Sequence, residues 1–317
     1  MLTGSRQRVG NYPGVTVAIK EGTARLDEFE LLLVDLPGTY SLTAHSLEEM
    51  IVQSYLIDQR PDVVINVVDA TNLERNLYLT SQLIELGVNT VVALNMSDEA
   101  RNQGVAIDHE KLGQLLGVPF IPTIGNRGYG TRELLTMSLE VAAGTSPIQH
   151  QVTVNYGEDL EQEILNVEEA LVSAKDLISR YGRRWLAIRL LERDKTIEEV
   201  IAPNPHGEDI LRARDDSVQR LELRHQDDLT SLFSERRYGF VRGAVRETVS
   251  LSMEEKMRRS DSIDAVVTHR WLGIPIFVFF LYVMFKATFT LGAIPMEWIE
   301  TVVGFVAASV SSLLPDG

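Results

Sequence analysis

Three short stretches of this 317-residue chain carry residue types suited to phosphate and base chemistry: Gly14-Val15-Thr16, Asp35-Leu36-Pro37-Gly38 and Asn95-Met96-Ser97-Asp98. A threonine hydroxyl such as that of Thr16 is a ligand for Mg²⁺, and a carboxylate such as Asp35 holds the same ion through water. The Gly38 N–H can approach a terminal phosphate because no side chain stands in between. Asp98 offers acceptors only, which match the two adjacent N–H donors of a guanine edge and mismatch adenine. Asn95 has both a donor and an acceptor, so it can touch the base and tie neighbouring loops together. Taken singly, each piece has an ordinary reading: a turn, a helix N-cap, a strand residue. Taken in this order, they predict a site for GTP and Mg²⁺, with Gly125 in PTIGNRGYG leaving backbone to contact the base.

The elements that must position these residues are legible as alternating runs. VTVAIKEG, FELLLVDL, DVVINVVDA, TVVALNM and FIPTI are β-branched and apolar, while SLEEMIVQSYLIDQ, NLERNLYLTSQLIELG and HEKLGQLLG carry helical periodicity. Near-continuous apolar strands alternating with helices predict an α/β, doubly wound and mostly parallel sheet covered on both faces. Ligands of such sheets bind at the C-terminal ends of the strands, where Asp35, Asp69 and Asn95 fall. This first domain is predicted to cover residues 1–145.

From residue 146 to about 260 the strands give way to charged helical sequence such as EDLEQEILNVEEAL and RRWLAIRLLE, which predicts an all-α second domain. Residues 261–317 then open a third region. From Trp271 to Met296 the run WLGIPIFVFFLYVMFKATFTLGAIPM carries a single charge, Lys286. That is enough to cross a hydrocarbon layer of about 30 Å, so a transmembrane helix is predicted over about 271–293. Lys256, Arg258, Arg259 and Arg270 precede the run and Glu297 and Glu300 follow it, so the positive-inside rule places the N-terminal portion in the cytoplasm. A net charge of −15 with no strongly basic segment argues against nucleic acid as a partner. The absence of cysteine excludes disulfides and thiolate chemistry within this chain, and residues 1–22 do not read as a signal peptide.

GSRQRVGNYPGVTVAIKEG, VDLPGTYSL, VVDATNLERNLYLT, ALNMSDEA, RWLAIRLLE and HRWLGIPIFVFFLYVMFKATFTLG, in this order, resemble the bacterial ferrous iron transport protein B (FeoB) family over nearly the whole chain. The resemblance implies a cytoplasmic GTP-binding domain, a helical domain associated with inhibition of guanine-nucleotide dissociation, and a multi-span permease for Fe²⁺ in the bacterial inner membrane. It also implies GTPase activity, a lipid bilayer as partner, and homo-oligomers and small cytoplasmic accessory proteins as further partners. By it Thr16 is the switch I threonine, Asp35 to Gly38 belong to switch II, and Asn95 with Asp98 reads guanine.

Several positions depart from common GTPase patterns. Met96 stands where many carry Lys, Ile124-Gly125 stands where a Ser-Ala pair is usual, and Thr39 follows Gly38 where Ras-like enzymes carry a water-orienting Gln, so no catalytic side chain is named. No G-x-x-x-x-G-K-[ST] loop occurs in the sequence, and the order of the other motifs places it directly before Met1. The expectation is therefore a fragment of a longer protein. It lacks a central strand between FELLLVDL and DVVINVVDA, the phosphate loop and most of the permease, and it is inactive as a GTPase by itself. The alternative is a membrane-tethered protein-interaction module that binds no nucleotide.

Overall fold

The computed structural model describes residues 8–11, 18–43, 46–148, 150–225, 228–251 and 274–289, with positions 299 and 303. Thr16, Gly14 and Val15 lie outside the described residues, as do the basic residues between 252 and 273 and the flanks of the expected membrane span. The chain divides into two compact units, Met1–Leu251 and Ser252–Gly317.

The first unit opens with three antiparallel strands, β1 (Arg8–Asn11), β2 (Ala18–Leu26) and β3 (Phe29–Asp35). Leu26 pairs with Phe29, so only Asp27 and Glu28 make the turn, with Asp27 in the left-handed region at φ 53°. A two-residue connection of this kind joins antiparallel strands, and for that reason the N-terminal half of the sheet departs from the parallel arrangement its apolar runs suggest. A second, parallel sheet is built from β4 (Val64–Asp69), β5 (Thr90–Asn95) and β7 (Phe120–Pro122), in the order β4-β5-β7. Helices α1 (Leu47–Gln59), α2 (Leu73–Leu86), α3 (Ser97–Asn102), α4 (His109–Leu116) and α5 (Thr131–Ala142) connect and cover these strands. Local chemistry fixes their ends. Ser46 and Glu49 form a reciprocal capping box at the start of α1, and Asp108 accepts the Lys111 N–H at the start of α4.

Strands β3 and β4 are not hydrogen-bonded to each other, and among the described residues no strand lies between them. Their facing edges border a cleft of about 610 Å³ lined by Leu32, Val34, Asp35, Val64, Val67 and Leu83, among others. Leu32 and Val67 remain 65% and 61% exposed. Apolar strand residues left this open mark a sheet interrupted at its centre.

From Glu158 to Thr248 the described secondary structure consists of helices. α6 (Glu158–Leu171), α7 (Lys175–Tyr181), α8 (Arg183–Leu191), α9 (Lys195–Ile201), α10 (Gly207–Arg224) and α11 (Leu229–Thr248) lead into the short strand β8 (Val249–Leu251). β8 pairs antiparallel with β6 (Val105–Ile107), a strand of the α/β half. Ile164, Leu171, Leu186 and Phe233 lie in the buried core of the bundle. Val68, Leu77, Val92, Leu94 and Leu112 form that of the α/β half together with Val241 and Ala244 of α11. Each such side chain contributes about 1.5–3 kcal/mol when fully buried. α11 is therefore shared: its first half belongs to the bundle and its second half to the α/β half.

The two halves also meet through a buried ionic network. Arg237 on α11 has no exposed side-chain surface, and its Nε donates to both carboxylate oxygens of Glu85 on α2, at 2.9 and 3.0 Å. Its Nη1 donates to Glu192, which also accepts from Arg189 at 2.8 Å. The Tyr156 hydroxyl donates to Glu85 as well. Burial opposes ionisation of Glu192, but Arg237 and Arg189 outweigh it and hold the carboxyl below the usual carboxylate range. Burial, reinforced by Glu85, pushes the Tyr156 hydroxyl well above its ordinary value.

In the second unit, residues 274–289 are helical. Ile274, Phe277, Phe280, Met284 and Phe289 are all more than half exposed. Lys286 places its ammonium 5.7 Å from the centre of the Tyr282 ring. Among the described residues, no helix is long and apolar enough to cross a membrane.

Candidate functional site

Three strand ends carry the polar residues that the sequence singles out. β3 ends on Asp35, β4 on Asp69 and β5 on Asn95, and Asp69 and Asn95 stand in register with each other. One carboxylate oxygen of Asp69 turns toward Thr71, two residues on, accepting its N–H at 2.8 Å and its hydroxyl at 2.7 Å. It therefore shapes the entry to α2 and is not aimed at a ligand.

β5 leads into the Ser97-Asp98 segment through Met96, which sits in the left-handed region at φ 59°. A non-glycine residue there costs of order 1 kcal/mol and persists only where its surroundings hold it. Here the Ser97 hydroxyl donates to the Leu94 carbonyl, and the Thr123 N–H donates to the same carbonyl at 2.9 Å. The Asn95 side-chain oxygen accepts the Gly125 N–H at 2.9 Å, which ties the end of β5 to the turn Gly125–Arg127 after β7. Asp98 follows in the first turn of α3. One of its oxygens accepts the Glu99 N–H at 3.0 Å, and the other lies 3.8 Å from an Arg127 guanidinium nitrogen. The structure thus brings Asn95, Asp98 and Gly125 together at the C-terminal end of the parallel strands, with an acceptor-only carboxylate half-buried beside an exposed Met96. That arrangement can read two neighbouring N–H donors on a planar ring.

Asp35 and Gly38 belong to a separate part of the same surface, beside the cleft between β3 and β4. Both are exposed, and a side chain added at Gly38 would meet nothing within 4 Å, so its N–H is approachable. An exposed single carboxylate suits Mg²⁺, which keeps much of its water and takes one or two protein carboxylates along with phosphate oxygens. Among the described residues no group of three or more His, Cys, Asp or Glu could hold a metal ion by itself. The residues present therefore fit Mg²⁺ only as a partner of a bound phosphate.

Two residues on α2 that the sequence patterns did not single out hold this loop. Gln82, 3% exposed, accepts the Leu42 N–H at 2.7 Å through its side-chain oxygen. Arg75 lies over the Tyr40 ring with 4.2 Å to its centre. Gln82 reads in sequence as one more polar residue of an amphipathic helix; only the 40-residue separation from Leu42, closed by folding, gives it this partner.

An α/β half with an NMSD strand end and a DxxG loop, joined to a helical bundle, defines a GTPase-fold domain with an appended helical domain. A family profile described as "Ferrous iron transport protein B" matches residues 1–138, and one described as "FeoB cytosolic helical domain" matches residues 156–250. The S. thermophilus FeoB G-domain structure, a GDP-bound A143S mutant, is 35% identical, with a TM-score of 0.69 over 78% of this chain and 92% of that one. The cytosolic domain of T. maritima FeoB in its GMPPNP form is 31% identical, with a TM-score of 0.65 over 78% and 91% of the two chains. The chain belongs to the ferrous iron transport protein B family. It is 41% identical to a Porphyromonas gingivalis Fe(2+) transport protein A/Fe(2+) transporter FeoB fusion protein, over 99% of this chain and 38% of that protein. It is 38% identical to the Escherichia coli Fe(2+) transporter FeoB, over 92% and 36%. The chain thus spans little more than a third of the length of these curated relatives.

Proposed function

We propose that this chain is the cytoplasmic guanine-nucleotide-binding portion, and the first membrane span, of a GTP-dependent Fe²⁺ transporter of the bacterial inner membrane. The observation that carries the reading is the Asn95–Gly125 tie beside the Asp98 carboxylate at the end of β5. Asp98 selects guanine by accepting from its two N–H donors, Gly125 offers backbone to the base, and Gly38 offers its N–H to a terminal phosphate. Asp35 and Thr16 hold Mg²⁺, Asp35 through water; the bound ion neutralises phosphate charge. The related FeoB structures in GDP-bound and GMPPNP forms support the nucleotide, and the similarity to Fe(2+) transporters supports Fe²⁺.

In this reading residues 1–145 form the nucleotide domain, 146–260 the helical domain, and 261–317 begin the permease. The exposed apolar residues of helix 274–289 and the basic residues before it support a span entered from the cytoplasm. Lipid is then a partner, as are further copies of the protein and small cytoplasmic accessory proteins.

One observation favours a second reading, a membrane-tethered interaction module without nucleotide: the sequence holds no G-x-x-x-x-G-K-[ST] loop, so the usual cradle of N–H groups and Lys is not supplied by these 317 residues. Titration calorimetry of the chain with GDP, GTP and ADP in Mg²⁺ separates the two. The first reading expects weak binding confined to guanine nucleotides. Equal heats for ADP and GDP would refute the base assignment, and no heat from any of them would favour the second reading.

A further inference from the structure

The base-reading segment is fastened from outside by the last residues of the helical bundle. α3 has six residues, too few to be stable by itself, and it follows a left-handed Met96. Its C-terminal end runs into β6, and β6 pairs along its whole length with β8: Val105 with Leu251, Ala106 with Ser250, Ile107 with Val249. The pairing continues past the strands. The Asp108 N–H donates to the Thr248 carbonyl at 2.9 Å, and the Lys111 ammonium donates to the Glu247 carbonyl at 3.2 Å. Beneath the ladder, Ala100 of α3 is 1% exposed and shares one core with Val241 and Ala244 of α11. At the other end of the same 20-residue helix, Leu229, Leu232 and Phe233 belong to the bundle core.

α11 is therefore a rod about 30 Å long with one end set in each core, and the strand after it pairs with β6, which directly follows the helix whose first turn carries Asp98. We infer that β8 and the second half of α11 are positioning elements for Asp98: they fix where its carboxylate points, so the helical bundle acts on the base side of the nucleotide site through α3. The inference rests on the reading of Asp98 as the guanine-selecting residue for its consequence, though not for its geometry. In sequence β8 precedes the apolar run that begins at Trp271.

Amide hydrogen exchange on the full chain, without nucleotide, tests the positioning. Ser250→Pro disrupts the three-residue ladder, and exchange across residues 96–107 should rise about tenfold while β4 stays protected. Tyr238→Ala is the control. It removes a ring stacked at 4.6 Å on Tyr78 of α2, and neither residue belongs to β6 or β8, so it should leave residues 96–107 unchanged. Should Ser250→Pro fail to fold, Val249→Ala, which thins the packing under β6, should raise the same exchange severalfold. Unchanged exchange at 96–107, or an equal rise with Tyr238→Ala, overturns the inference. A separate readout addresses the consequence. The preference of the chain for GDP over IDP, which lacks the guanine amino group, should narrow with the ladder variant; a purely structural role would weaken both nucleotides alike. The exchange pattern with no guanine binding at all would leave the positioning in place and refute the reading of Asp98.

Discussion

The side-chain oxygen of Asn95 accepts the backbone N–H of Gly125 at 2.9 Å, bridging 30 residues of sequence between the ends of β5 and β7. A β-carbon at Gly125 would sit 3.3 Å from that oxygen, so the contact needs the bare backbone or a small displacement. Asn95→Ala leaves the N–H without this acceptor and should cost about 1 kcal/mol in urea unfolding. Guanine-nucleotide binding should fall further than stability does, since the loop proposed to meet the base is released. Equal loss of both would mean that Asn95 acts only as a structural tie.

Base selection is tested by Asp98→Asn. The substitution replaces one acceptor with a donor at a carboxylate whose neighbours are the Glu99 N–H and Arg127. Preference should move from guanine toward xanthine nucleotides, whose ring offers a carbonyl where guanine offers an amino group. Competition between GDP and XDP for the chain measures the change. An unaltered GDP preference would place base recognition elsewhere.

Loss of the junction between the two halves should be severe. Arg237 is wholly buried and satisfies Glu85 and Glu192 together. Arg237→Ala leaves Glu85 buried without its cation and Glu192 with Arg189 alone, which costs about 3–5 kcal/mol. Urea titration followed by circular dichroism reads the loss. A drop below about 1 kcal/mol would show that water reaches the site and screens the pair.

The same network sets the response to acid. Burial raises the cost of charging Glu192, yet Arg237 and Arg189 hold its folded pKa below the ordinary carboxylate value. Glu161 and Glu163 are lowered too, in each case against burial, by Arg184 and Arg220. A depressed carboxyl binds fewer protons when folded, so its contribution is complete above the unfolded value of about 4.3 and is lost as pH falls through the folded one. The unfolding midpoint should be flat near neutral pH and fall below about pH 4.5. Glu192→Gln should lower the plateau and flatten that acid limb.

How much of this was legible in the sequence follows from the range of each interaction. The runs that became β4, β5 and β7 and the periodicity of α2 and α4 are local, so composition and spacing revealed them. Asp35 and Asn95 could be placed at strand ends for the same reason. β6 and β8 are three residues each and exist only because residues more than 140 positions apart meet, which no local pattern encodes. The Arg237–Glu85 pair spans 152 residues, and in sequence both read as solvated charges on helix faces. The division of α11 between two cores escaped notice likewise, because its apolar residues satisfy one helical period whichever core receives them. The N-terminal hairpin was missed in its direction only: its strands were recognised, but the two-residue connection at Asp27-Glu28 was not read as a turn.

The apolar helix gives the last prediction. Phe277, Phe280, Met284 and Phe289 expose more than half of their surface, and apolar residues lie all round residues 274–289 instead of forming a stripe. A helix without a polar face pays for water contact on every side, so it is stable only in lipid or beneath a partner's surface. The described helix is about 24 Å long, short of a hydrocarbon layer of about 30 Å, and the apolar sequence continues beyond both of its ends. Lys286 is the one charge in the run, and near the middle of a bilayer it costs about 2.5–3.5 kcal/mol. Lys286→Leu should therefore raise the fraction of chain inserted into phospholipid vesicles, unless a partner helix satisfies the ammonium. Protease added to inside-out vesicles should digest the first 250 or so residues, and the same protease outside right-side-out vesicles should leave them intact. Digestion from the outer face would overturn the topology, and a chain that stays in the aqueous fraction would assign the apolar helix to a protein partner.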